Sequence, residues 1–463
     1  MPVAAHVMSH AATRPSRVAV RGPEGELTYA ELADKIDGAA RHLRGRGIGP
    51  GALAAVGLAD PVELLVAALA ADLAGATPLV GGHTWDRERW AGVTAPLRPD
   101  VLIDRPLPPV PGPPVRRRAR PEDLAWACFS SGSTGRPRAI VRTRASWTAS
   151  YPQLNALTGI GADDVVLVPG PLVSSLYAFA ALHALGTGAT AVVPGRWPGG
   201  ALAAHLADAT VVHLVPHRLP DVLEHPGSLR VAVVGGAALT PGARQAADRA
   251  GVRVVAYYGA AELSFVAVDA DGGGLRPFPG VEIEVRDLPG GRRGGRLGEV
   301  WARSPWLAEG YLGDAAGPLR RDGDGWVSVG DVAEPYRDGQ VLRVRGRGDG
   351  AIQTGGATVV PEDVEEVLRR VPGVGDVVVV GSPHPSLGAV VTAIIETGIG
   401  ETGQSAPPRA LLEATARCGL DVAQRPRRWY AVPSLPRTPT GKPARAVVAG
   451  WLSEGRPGIS RLS

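Results

Sequence analysis

The residues best suited to chemistry fall into four short segments of the 463-residue chain. The first is Ser130-Ser131-Gly132-Ser133-Thr134-Gly135-Arg136-Pro137-Arg138, which follows the apolar run Trp126-Ala127-Cys128-Phe129. Its glycines let the backbone approach an anion, and its hydroxyls and backbone N–H groups can cradle phosphates. It is not a Walker A loop, because the GxxxxGK[ST] spacing is absent. The second is Ala256-Tyr257-Tyr258-Gly259-Ala260-Ala261-Glu262. An aromatic beside a glycine suits stacking of a flat ring on exposed backbone, and the Glu262 carboxylate can hold a divalent cation. The third pairs Val329-Gly330-Asp331 with Gly346-Arg347-Gly348-Asp349. A carboxylate after a strand accepts bonds from ribose hydroxyls, and an arginine adds a fixed cationic fork. The fourth is Pro436-Arg437-Thr438-Pro439-Thr440-Gly441-Lys442, a tight loop that can present an ammonium to a phosphate. Taken singly, each segment also reads as a flexible polar loop or an ordinary turn.

Lysine usage singles out the last segment. Only two of the 49 basic residues are lysine, Lys35 and Lys442. Lys35 lies in an amphipathic helix start capped by Thr28, which implies a surface role. Neither helix propensity nor an evident pairing explains Lys442.

These segments need a scaffold, and the hydrophobic pattern supplies one. In the first 120 residues, helices over 31–46 and 62–74 alternate with strands over 52–58, 77–80 and 101–103. Strands over 164–168, 189–193, 211–215, 229–234 and 253–257 follow, with a helix over 176–185. This alternation predicts an α/β fold with a mostly parallel, helix-covered sheet. From residue 280 the texture changes. Segments 281–285, 298–302 and 341–344 alternate in and out between glycine turns and predict a small antiparallel β subdomain. After residue 349 an α+β unit begins, with helices over 362–371 and 408–417 and strands over 377–380 and 390–396. The pattern divides the chain into an N-terminal domain over 1–348 and a smaller C-terminal domain over 349–463.

Composition narrows the function classes. A net charge of +4 over this length does not suggest a nucleic-acid partner. The basic run Arg116-Arg117-Arg118-Ala119-Arg120 reads as a solvated linker. Cys128 and Cys418 lie far apart, with no ligand spacing for structural zinc, and fit a cytoplasmic setting. No secretory leader is evident at the N-terminus. The longest apolar run, over 62–80, contains Glu63 and Asp72 and reads as a buried helix and strand, with no membrane partner.

Taken together and in order, the segments resemble the adenylate-forming superfamily of acyl-CoA synthetases, peptide-synthetase adenylation domains and luciferases. Residues 130–138 look like that family's phosphate loop, and residues 258–262 like its Tyr-Gly-x-Thr-Glu segment. Gly235-Gly236-Ala237 resembles its adenine-side glycine pair. Gly298-Glu299-Val300 with Gly310-Tyr311 matches a further segment, and Gly330-Asp331 its ribose-binding Thr-Gly-Asp. Gly346-Arg347-Gly348-Asp349 matches the hinge, and Thr440-Gly441-Lys442 the catalytic lysine loop. Three positions depart from the pattern: Arg138 and Val329 stand where the family has lysine and threonine, and Ala261 replaces the threonine before Glu262.

The resemblance implies ATP-dependent activation of a small carboxylic acid as an acyl-adenylate, with pyrophosphate release. It makes Ser130, Ser131, Gly132, Ser133, Thr134, Gly135 and Arg138 the phosphate cradle, with Gly236, Ala237, Tyr258 and Gly259 at adenine and Asp331 and Arg347 at the ribose. Lys442 and Glu262 become catalytic, and Glu262 a Mg²⁺ ligand. Asp349 is the implied hinge of a mobile C-terminal domain, and Gly355 and Gly356 line the path of a thiol. That thiol belongs to CoA or, alternatively, to a phosphopantetheinyl carrier protein; an amine acceptor and a non-catalytic nucleotide-binding homologue remain open. Val173, Ser174, Ser175, Tyr177, Gly235 and Leu263 line the implied acyl pocket. It carries no aspartate to clasp an α-ammonium, which disfavours an α-amino acid and suits a fatty or aryl acid.

Overall fold

The computed structural model describes residues 3–82, 85, 87–115, 120–129, 138–288, 297–313, 317–347, 350, 352–354, 357–385, 387–397, 407–438, 441–454 and 458–462. Among them are four sheets. The largest has nine strands. Its centre is the parallel set Val165–Leu167, Val211–Leu214, Val231–Gly235 and Arg253–Ala260. These strands read as nearly unbroken apolar runs because both faces are covered. Val212, Leu214, Ala232, Val234, Val254 and Ala256 fill one core, while Val211, Val231, Val233 and Val255 fill the other. The helix Ser175–Thr187, buried from Tyr177 to Leu185, contributes to the second core.

A second sheet joins Leu53–Val56, Thr77–Val80, Val101–Ile103, Leu124–Phe129, Ala139–Thr143 and Gly310–Tyr311. Between the sheets, the helix Pro61–Ala74 carries Asp72, which is fully buried with Arg144 at 3.1 Å and also accepts from Ala4 N at 3.1 Å. The helix Tyr29–Gly45 starts with the expected Thr28 cap, completed as a capping box by Glu31. Lys35 sits on the surface of that helix, paired with Glu63 at 2.7 Å.

The antiparallel subdomain is present, built on Glu282–Asp287 and Gly298–Arg303. Its last strand differs from the sequence reading. Pairing begins at Val344–Arg347, opposite Asp331–Ala333, and residues 341–343 are not strand. Leu342 is buried and its N–H bonds to Leu275 O, so the segment that alternates like a strand instead ties down a neighbouring loop.

The C-terminal sheet runs Ala357–Val359, Ile352–Thr354, Gly388–Glu396, Arg428–Val432, Ser460–Arg461, with Asp376–His384 also pairing on Gly388–Glu396. Helices Pro361–Leu368 and Arg409–Gly419 cover it, and Val364, Leu368, Val379, Ile395, Leu412 and Trp429 form its own core. Among the described residues, no helix is long and apolar enough to cross a membrane.

Candidate active site

Gly235, Gly236, Ala237, Tyr258 and Gly259 lie at the C-terminal ends of parallel strands, where open α/β sheets bind ligands. Strand Val231–Gly235 delivers Gly235, Gly236 and Ala237; strand Arg253–Ala260 delivers Tyr257, Tyr258 and Gly259.

Glu262 lies in the turn after Arg253–Ala260 and is almost fully buried. The Tyr311 hydroxyl donates to its Oε1 at 2.9 Å, and Ala308 N donates to its backbone carbonyl at 2.8 Å. Tyr311 reaches it because Gly310–Tyr311 pairs with Val141 and Ile140 at the edge of the second sheet. Burial, with the Glu262 charge, raises the Tyr311 pKa, so the phenol stays a donor; Arg138 opposes that shift and therefore lies within electrostatic reach. Beneath the turn, the buried Arg142 donates to Ser146 Oγ at 2.9 Å, to the Trp306 carbonyl, and over 3.5 Å to the Ala261 carbonyl. Burial lowers the Arg142 pKa to about 10. Magnesium typically takes one or two protein carboxylates and completes its shell with phosphate oxygens and water. A single buried carboxylate fits that pattern.

The Tyr258 hydroxyl donates to Asp331 Oδ2 at 2.7 Å. The residue read as an adenine stacker thus also orients the residue read as a ribose acceptor. Arg347 stands directly opposite Asp331 in the antiparallel pair.

The acyl side is aromatic. A methyl group at Gly235 would lie 2.2 Å from Tyr257 Cζ, and one at Gly170 would lie 2.0 Å from Tyr177 Cε2. Each glycine therefore makes room for a tyrosine ring. Tyr257 packs edge-on to Phe265, ring centroids 4.7 Å apart. Burial pushes the Tyr177 phenol up to about 12 and raises that of Tyr257 too, with Tyr177 adding to the shift there. Neither hydroxyl has a hydrogen-bond partner among the described residues. Ser174 and Ser175 open the helix that bears Tyr177, and Leu263 is buried in the same core. Val173 belongs to a cluster with Phe129, Trp90 and Val141, whereas its neighbour Leu172 belongs to the core that holds Tyr177.

Lys442 comes from the C-terminal domain. Its Cε and Nζ lie 3.8 Å from the position a Gly236 β-carbon would occupy. Two backbone bonds tie the turn together: Thr438 N donates to Lys442 O at 2.7 Å and Gly441 N to Thr438 O at 2.8 Å. Arg437 staples the loop to the sheet through Asp376 at 3.1 Å and Glu396 at 2.6 Å.

Ser130, Ser131, Gly132, Ser133, Thr134, Gly135, Asp349, Gly355 and Gly356 lie outside the described residues, as does the Arg347 side chain. Tyr257, Arg142 and Tyr311 had no assigned site role. An arginine inside the apolar Ala139-Ile140-Val141-Arg142 run was the available signal for one of them.

This arrangement has known counterparts. The AMP-binding enzyme family matches residues 7–111 and 104–312, and the AMP-binding enzyme C-terminal domain matches residues 363–442. The chain belongs to the AMP-binding enzyme family. This bears out the resemblance to adenylate-forming ligases and the α/β fold with a separate C-terminal domain. Among its relatives, the acyl-CoA ligase YhfT of Bacillus subtilis strain 168 is 28% identical over 96% of this chain and 97% of that protein. The salicyl-AMP ligase / salicyl-S-ArCP synthetase of Mycobacterium tuberculosis is 30% identical over 96% of this chain and 89% of that protein. ATP-bound MatB from Rhodopseudomonas palustris shares the fold, with a TM-score of 0.85 and 21% identity over 98% of this chain and all of that one. This AMP-binding enzyme is therefore a ligase by family.

Proposed function

We propose that this AMP-binding enzyme joins a compact carboxylic acid to AMP and then transfers the acyl group to the thiol of CoA. The placement of the Lys442 ammonium beside Gly236 carries the reading. One of two lysines in the chain has been brought from another domain to the rim of the acyl and nucleotide sites.

In the first half-reaction an oxygen of the acid attacks the ATP α-phosphorus, the bond to the bridging oxygen breaks, and pyrophosphate leaves with that electron pair. The protein supplies position and charge. Lys442 sits where it can neutralise charge building between the carboxylate and the α-phosphate. Asp331, held by Tyr258 and faced by Arg347, takes the ribose. Residues 130–138 hold the outer phosphates. Bound at Glu262, Mg²⁺ would neutralise phosphate charge. Residues 1–348 form the body of the site, and residues 349–463 swing about Asp349 to exchange Lys442 for the thiol path at Gly355 and Gly356.

The rings of Tyr177 and Tyr257 support an aryl or short acid over a long fatty acid. Their hydroxyls make no hydrogen bond to another described residue and are open to a neutral polar substituent on it. The test is acid-dependent pyrophosphate release across aryl, short-chain and long-chain acids, with CoA, a phosphopantetheinyl carrier protein and amines offered in parallel. Absence of release with every acid would overturn the adenylation reading. A second reading, transfer to a carrier protein, draws support from the salicyl-S-ArCP synthetase relative; acyl transfer to the carrier and not to CoA would select it.

A further inference from the structure

The loop bearing Lys442 rests on the large domain through a residue that belongs to none of the four segments. His217 lies in the short turn Pro216–Arg218, which follows strand Val211–Leu214. A methyl group on Gly441 would come within 2.8 Å of both Cε1 and Nε2 of His217, so the imidazole fills the space in front of the Gly441 α-carbon. One residue on, Lys442 reaches Gly236, and Val215 Cγ1 lies 3.7 Å from the same Gly236 position. Residues 215–217 therefore underlie both the glycine turn and the lysine turn.

The loop is stapled to its own sheet by Arg437, so it approaches the large domain as a block. A block needs a stop that sets how deep it seats, and His217 occupies that place. The charges around the ring suit the role. Burial, Arg218 and Arg437 lower its pKa, against Asp221 and Asp376. The imidazole is then neutral at pH 7 and adds surface without adding a positive charge near the Lys442 ammonium.

We propose that His217 is a positioning residue that seats the Gly441–Lys442 turn for the adenylation half-reaction. The proposal rests on the adenylation reading above. A displacement of roughly 1 Å at a reacting group can cost on the order of 100-fold, so a lost stop should cost about 10- to 100-fold.

The test compares wild type with His217→Ala and with His217→Asn, which keeps a flat polar group. Three quantities are measured: acid-dependent exchange of pyrophosphate into ATP at saturating substrates, thiolation from supplied acyl-adenylate, and hydrogen exchange of residues 436–444 in the substrate-free enzyme. The expected result is a loss of exchange activity of about 10-fold or more in His217→Ala, partial recovery in His217→Asn, unchanged thiolation and faster hydrogen exchange in the loop. Equal loss of both half-reactions, or no loss in either, would overturn it. If the wild type shows no pyrophosphate exchange with any acid, the adenylation reading fails by itself. Hydrogen exchange still decides the contact in that case, since an unchanged loop would rule it out.

Discussion

Gly441→Ala is the sharpest perturbation of the lysine loop, because the structure predicts two separable costs. Gly441 has φ +81°, in the left-handed region, where a β-carbon costs roughly 1–2 kcal/mol. The same β-carbon would meet the His217 ring at 2.8 Å, closer than real side chains approach, so the ring or the loop must shift. Neither cost threatens the fold, since the turn is partly exposed and lies outside both large cores. The collision falls on the seated state and the strain on the loop itself, and a total near 2 kcal/mol would reduce the population of correctly shaped, seated loop and the adenylation rate about 30-fold. In the proposed mechanism thiolation does not use Lys442 in the seated position, and it should be unaffected. The assay is pyrophosphate exchange on Gly441→Ala, His217→Ala and the double variant. Removing the ring relieves the collision while leaving the backbone strain, so the double variant should lose less than the two single variants' losses combined. Such non-additivity is the signature of two residues in contact. Additive losses would refute the reasoning, because they would mean that ring and glycine do not meet.

Other outcomes follow from single contacts. Lys442→Ala should lower pyrophosphate exchange by roughly 10²–10³-fold, the scale of losing one charge-stabilising donor, and leave thiolation from supplied adenylate intact. Tyr311→Phe removes the 2.9 Å bond to the buried Glu262 carboxylate and should cost about 1.5–3 kcal/mol, read as a lower urea midpoint together with a raised KM for Mg-ATP. Asp72→Asn removes the fully buried carboxylate 3.1 Å from the fully buried Arg144, leaves it Asp123 at 3.9 Å, and should destabilise by up to about 3–5 kcal/mol in urea unfolding. His183 and His213 are neutral when folded, burial having lowered their pKa values to about 4 and about 3. The unfolded chain, with histidines near 6.5, then binds more protons between about pH 6.5 and 4. Stability should fall as pH drops through that window, by up to about 1.4 kcal/mol per unit for each histidine. His183→Gln should flatten the profile measured by urea unfolding from pH 7 to 4.

What the sequence discloses here is the kind of group, and what it conceals is the group that faces it. Asp331, Glu262 and Lys442 stand out as candidates because phosphate and ribose chemistry demands particular types beside glycine turns, and because a lysine stands out among arginines. The parallel strands were legible because burial on both faces leaves unbroken apolar runs. Two features show where this stops. Residues 341–344 alternate as an edge strand should, yet Leu342 bonds to Leu275, 67 positions earlier, and alternation carries no information about that choice. Gly441 reads as a glycine needed for a tight loop, which its φ confirms, but the ring in front of it comes from His217, on another domain. Local chemistry is written in local spacing, whereas the approach of His217 to Gly441 joins residues 224 positions apart. A substitution at 217 would therefore alter no motif and still move the ammonium proposed to serve the first half-reaction.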